Sequence, residues 1–163
     1  MPTYQNFNQS PQGFLKTVTI IHAALTFGQV MFGVLAFAES GKTGIDVKNT
    51  NNPFLYVVPL LALIGFIASN FLFKQLLNNV GLKNTLREKL MVYQTALIVR
   101  YALLEGASLF AIVCYLLTGN LLFLLISGAI VLYFIIIRPT KQGTQNDLNL
   151  SYEDQMEFNR TDV

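Results

Sequence analysis

An all-α fold of four transmembrane helices is what this sequence predicts, and three observations predict it. Hydrophobic residues make up 53% of the 163 and charged residues only 12%, against about a quarter charged in an average soluble domain. The charges are clustered, so that residues 14–38, 54–73, 92–117 and 121–137 form long stretches almost free of them. A hydrocarbon core about 30 Å thick needs roughly 20 apolar residues per helix. These runs are also continuous rather than alternating, which disfavours a β-barrel. The length suits one domain, with residues 14–138 forming its transmembrane part.

Residues 1–13 are polar and rich in Asn and Gln, with Pro11 and Gly13, and read as a flexible arm. The first apolar run is interrupted only by Lys16 and His22, and its Ala36-Phe37-Ala38 mimics a signal-peptide cleavage site. It is longer than a usual signal core and is broken by His22, Thr26, Gln29 and two glycines, so it reads as a retained helix. The loop from Ser40 to Pro53 is rich in Gly, Asn and Thr and is expected outside. In the second run, Pro59 is placed to kink the helix, and Gly65 and Asn70 follow.

Gly81 is expected to break the link between the second and third runs, with Asn84 or Thr85 capping a new helix. That helix starts outside the membrane and continues into the third run. The fourth run contains Ser127-Gly128, suited to close packing, and ends before Pro139. Residues 139–163 form an acidic tail, in which Ser151 and Asp154 resemble a capping box. The tail either docks on a basic surface, its own or a partner's, or stays solvated.

Charge bias sets the topology. Lys16, Lys74, Lys83, Arg87, Lys89, Arg100, Arg138 and Lys141 fall on one side if the helix number is even. The other side has only Lys42 and Lys48, offset by Glu39 and Asp46. The positive-inside rule then places both termini in the cytoplasm. A shift of 78 positions also superimposes Thr17 on Thr95, Ile20 on Ile98, Ala24 on Ala102, Leu25 on Leu103, Gly28 on Gly106, Phe32 on Phe110 and Gly41 on Gly119. It suggests two repeated helical hairpins.

Polar residues inside a bilayer are expensive, and each one needs a reason. On the first helix Thr19, His22, Thr26, Gln29, Gly33, Ala36 and Ser40 fall on one narrow stripe. It serves close helix packing, or a substrate or proton path. On the third helix Gln94, Tyr101, Glu105, Ser108 and Tyr115 share a face. Arg100 is expected to snorkel to the inner surface. Glu105, about 7 Å further along, must be neutral, paired or hydrated. Tyr101, one turn earlier, is a candidate donor to it, and His22 a candidate partner across the helix pair. Such a pair is either an interhelical clamp or a proton-handling arrangement.

No phosphate loop, dinucleotide fingerprint or metal-ligand spacing is visible, and no nucleophile–base–acid set, so no enzyme, cofactor or metal is expected. Cys114, the single cysteine, reads as a small buried hydrophobe. The partners expected are the lipid bilayer and another membrane protein or a second copy of this chain, not nucleic acid.

The stretch Gln94-Thr95-Ala96-Leu97-Ile98-Val99-Arg100-Tyr101-Ala102-Leu103-Leu104-Glu105-Gly106, with Arg138-Pro139-Thr140-Lys141 and Asp147-Leu148, resembles a group of small uncharacterised bacterial four-helix membrane proteins. The resemblance covers nearly the whole chain and implies a multi-pass protein of the bacterial inner membrane. Ala102-Leu103-Leu104-Glu105-Gly106 also resembles the proton-binding helix of rotary ATPase proteolipid subunits. The likeness spans about five residues. This chain differs in carrying its carboxylate on the third helix rather than the fourth, nearer one surface, and without a glycine-rich packing pattern. Two functions are therefore expected as alternatives: an accessory or scaffold subunit of a membrane assembly, and a small transporter or proton-conducting element using Glu105 and His22.

Overall fold

The computed structural model describes residues 11–48 and 51–159. The described residues form helices and no strands: α1 (Pro11–Ser40), α2 (Phe54–Leu77), α3 (Leu86–Thr118), α4 (Leu121–Ile136), α5 (Lys141–Asp147) and α6 (Tyr152–Asn159). Helices α1, α2 and α3 are each long and apolar enough to cross a membrane; α4 reaches that standard only when joined to α5, from which it bends by 85°.

Helix boundaries follow local chemistry. The described part of α1 starts at Pro11, so the end of the expected arm is helical. The rest of that arm, residues 1–10, lies outside the described residues. Helix α2 runs through Pro59 without interruption, and its bonds then tighten into a 3-10 turn, Asn78–Leu82, at the Gly81 break. Thr85 caps α3, its hydroxyl accepting the Glu88 N–H. Asn120 caps α4 in the same way through the Leu122 N–H. Thr140 caps α5 and Ser151 caps α6 through the Asp154 N–H.

Cross-helix contacts fix the topology. His22 meets Tyr101 and Gly33 lies near Ile112, so α1 and α3 run in the same direction. Gly65 approaches Leu103 and Ala107, while Asn70 meets Arg100, so α2 is antiparallel to α3. Ser127 meets Ser108 and Tyr133 meets Arg100, so α4 is antiparallel as well. Helix α3 is the hub, packed against all three others. Its first two turns and the start of α1 form one end of the molecule with the tail; this basic end carries Lys16, Lys74, Lys83, Lys89 and Arg138.

At the opposite end, α1 and α3 finish alike. Gly41 (φ +59°) and Gly119 (φ +71°) both take the left-handed conformation, and their N–H groups close the last turns onto Phe37 and Tyr115. The loop after α1 then folds over the α3–α4 turn. Asn120 donates to the Asp46 carbonyl at 2.6 Å, Tyr115 to the Lys42 carbonyl at 2.8 Å, and the Leu121 N–H to Gly44. A Cβ on Gly119 would lie 2.2 Å from Lys42 Cδ. Gly119→Ala is expected to cost about 1–2 kcal/mol and to loosen this loop first, read as faster proteolysis between residues 41 and 48.

The tail is docked rather than solvated. Leu148, Leu150 and Phe158 are buried in one cluster with Phe14, Leu90 and Tyr93. Tyr93 donates to Asp147 at 2.9 Å, and Lys89 pairs with Asp154 at 2.5 Å. The acidic tail thus covers its own basic end. Burial of Phe158 is worth about 1.5–3 kcal/mol and a partly exposed ion pair at most about 1, so the apolar contact dominates. Phe158→Ala is expected to release α6 more completely than Lys89→Gln, seen as faster amide exchange over residues 152–159. The Lys89 hydrogen bond holds the Asp154 carboxyl below its ordinary range. The pair's contribution is therefore present above that range and is lost as pH falls through the depressed value. Exchange in α6, corrected for intrinsic rate, should rise below about pH 4 in the wild type and be pH-independent in Asp154→Asn.

Candidate functional site

The stripe on α1 turns inward, as close packing requires. His22, Gln29 and Ala36 are buried, and Thr26, Gly33 and Ser40 are half-buried; only Thr19 is exposed. Inside, the polar groups separate into distinct sites rather than one chain.

The first site centres on His22. Its Nε2–H donates to the Phe134 carbonyl at 2.8 Å. The ring stacks on Phe134 at 4.7 Å and meets the edge of Tyr101 at 5.1 Å. Accepting a bond from outside its own helix, that carbonyl ties α4 to α1. Tyr101 closes the site, but its hydroxyl has no partner. The expected Tyr101–Glu105 bond is not made, and His22 does not pair with Glu105.

The second site centres on Arg100, and here the structure departs most from the expected snorkelling. One terminal nitrogen donates to Asn70 Oδ1 at 2.7 Å and to the Tyr133 hydroxyl at 2.9 Å. Tyr133 in turn donates to Asn70 Oδ1 at 2.9 Å, and Asn70 Nδ2 donates to the Phe66 carbonyl. The guanidinium lies over the Phe73 ring at 4.6 Å. Arg100 thus joins α2, α3 and α4. Asn70 stands out in the sequence as a polar group inside an apolar run, whereas Tyr133 is not marked in that way, and their convergence depends on helix rotation.

A third contact joins Ser108 and Ser127 at 2.8 Å, both buried. Gln29 is buried nearby in register: it lies seven residues beyond His22, as Ser108 lies seven beyond Tyr101. Its Nε2 reaches the Leu25 carbonyl at 3.4 Å and its Oε1 has no partner. Thr26 donates back to the His22 carbonyl. Gln94 is half-buried and Cys114 is buried.

Glu105 stands apart from all three. Among the described residues it has no hydrogen-bond or ion-pair partner, and it is half-buried. The register also corrects its depth. Gly65, whose Cβ position lies 3.2–3.3 Å from Ala107 and Leu103, is near the middle of the 54–73 apolar run. Ser127, facing Ser108, is near the middle of α4. Glu105 lies between those levels, so it sits midway along the apolar length and not near one surface. The surface reading had counted depth from Arg100, which proves to be held among helices instead of marking the interface.

Beside Glu105 runs the uncovered face of α3. Met91, Thr95, Ile98, Ala102, Gly106, Val113 and Leu117 are exposed along one line between α1 and α2. The middle of this line is small, and nothing lies within 4 Å of a Cβ placed on Gly106. No group of three potential metal-binding side chains occurs among the described residues. No protein family, curated protein or solved structure matches the chain.

Proposed function

We propose that this chain is a non-catalytic accessory or scaffold subunit of an assembly in the bacterial inner membrane, crossing it four times with both termini in the cytoplasm. One observation carries the reading: a partnerless carboxylate at mid-depth, beside an uncovered small-residue face of the hub helix. A charge at the centre of a bilayer costs at least about 2.5–3.5 kcal/mol on insertion scales. Small residues let a second helix approach closely, and a polar group at such a contact finds a partner there. A partner helix over Ala102 and Gly106 supplies both the missing packing and the missing hydrogen bond.

The basic end shared by the start of α1 and the tail supports the orientation through the positive-inside rule. The hairpin repeat is supported by the matching left-handed ends of α1 and α3 at Gly41 and Gly119. The α1–α3 contacts also run at an offset of 79, against the sequence shift of 78 (Tyr101 less His22, Ile112 less Gly33).

A second reading, a small transporter or proton-conducting element using Glu105 and His22, draws support from the mid-depth carboxylate alone. Its weakness is that the His22 imidazole is engaged with Phe134. Purification in mild detergent with particle sizing and mass spectrometry separates the two. A large particle holding a stoichiometric membrane partner supports the accessory role. A lone chain whose proton flux in vesicles disappears in Glu105→Gln supports conduction instead.

A further inference from the structure

Arg100 keeps its charge at any physiological pH and carries five N–H donors with no acceptor. Only one of its nitrogens is bonded, and both acceptors, Asn70 and Tyr133, are neutral. Its Nε is buried without a partner. Among the described residues no carboxylate pairs with it. Glu105 is no substitute, since five residues turn it about 140° around α3 and move it toward the membrane centre.

The depth of Arg100 says what the missing anion is. Its Cα lies about 7.5 Å from Glu105 toward the basic end. Side chains on a helix lean toward their own N-terminus, which here is the basic end, and the Phe73 ring under the guanidinium lies on that side. Its charge therefore lies on the basic-end side of its own Cα, still inside a hydrocarbon core whose half-thickness is about 15 Å. Lys74 is exposed one turn beyond Asn70 on the same face of α2. Phosphate groups of lipids lie just outside that core, within reach of the long Lys74 side chain, and basic groups between transmembrane helices are suited to bind them.

We propose that Arg100 and Lys74 bind the phosphate of an anionic phospholipid in the leaflet at the basic end of the bundle. Asn70 and Tyr133 hold the guanidinium in place and Phe73 supports its face, while the other terminal nitrogen and the Lys74 ammonium face the phosphate oxygens. The exposed cations of the same end disfavour a headgroup that carries its own positive charge. This site does not depend on the accessory role proposed above.

The test uses the full-length protein in a neutral detergent, titrated with short-chain phosphatidylglycerol, short-chain phosphatidylcholine or inorganic phosphate, with thermal stabilisation as readout. Phosphatidylglycerol should stabilise the wild type at concentrations where the other two have no effect. Its apparent affinity should fall about tenfold or more in Arg100→Gln and about fivefold in Lys74→Gln. Lys74 is exposed, so that variant decides the matter if Arg100→Gln does not fold. Equal affinity in wild type and Lys74→Gln would overturn the site. Equal stabilisation by phosphatidylcholine, or by inorganic phosphate alone, would overturn the assignment to an anionic lipid.

Discussion

Glu105→Gln is expected to detach this chain from the membrane partner proposed for it while leaving the isolated chain as stable as before, or more so. Within the chain the carboxylate has no hydrogen bond or ion pair to lose. Glutamine has nearly the same shape and removes a charge that costs at least about 2.5–3.5 kcal/mol at mid-depth. The partner loses a charge-assisted hydrogen bond, worth about 1.5–3 kcal/mol, or roughly a tenfold to hundredfold weaker association. The check is the amount of partner retained per chain after mild-detergent purification, with thermal unfolding of the dissociated chain measured in parallel. A clamp within the chain would give the opposite pattern: a less stable monomer. Proton conduction would give a third, with partner retention unaltered and flux abolished.

Phe134→Ala is expected to be the most damaging single change to the bundle itself. Phe134 is fully buried, stacks on His22 and meets Tyr101 at 5.0 Å, so one ring fills the junction of α1, α3 and α4. Truncation leaves a cavity bounded by rigid aromatic rings, and phenylalanine-to-alanine changes in such cores cost about 3–5 kcal/mol. The His22 bond to the residue-134 carbonyl is a backbone contact and survives, so the loss measures packing rather than hydrogen bonding. For a chain of this size the midpoint of thermal unfolding should fall by about 10 °C. Leu132→Ala, on the lipid-facing side of the same helix, should change it little, since Leu132 is 65% exposed.

What the sequence makes legible is what depends on one helix at a time. Apolar length marks where α1 to α4 run, and Thr85, Ser151 and Pro139 mark ends because caps and proline act within a turn. The inward turn of His22, Gln29 and Ala36 follows from their 100° spacing alone. Pairings across helices do not follow in that way. Asn70, Arg100 and Tyr133 converge only because α2 and α4 are rotated and staggered to suit, and neither angle is written in local sequence. Tail docking was left open because Leu148, Leu150 and Phe158 are widely spaced among polar residues, and each becomes core only against Phe14, Leu90 and Tyr93. The depth of Glu105 was misjudged for a related reason. It was counted from Arg100, and only the register against Gly65 and Ser127 shows that this charge is held among helices rather than at the surface.

An accessory role requires that protein cover the α3 face beside Glu105 in the native membrane. Photoreactive amino acids placed singly at Ala102 and Gly106, with Leu132 on α4 as control, answer this in intact cells. Both test positions are exposed, and Gly106 has open space for the larger side chain. One protein adduct of discrete mass is expected at Ala102 and Gly106, lost in Glu105→Gln, with only lipid adducts at Leu132. Lipid adducts alone at all three positions would rule out a covering partner.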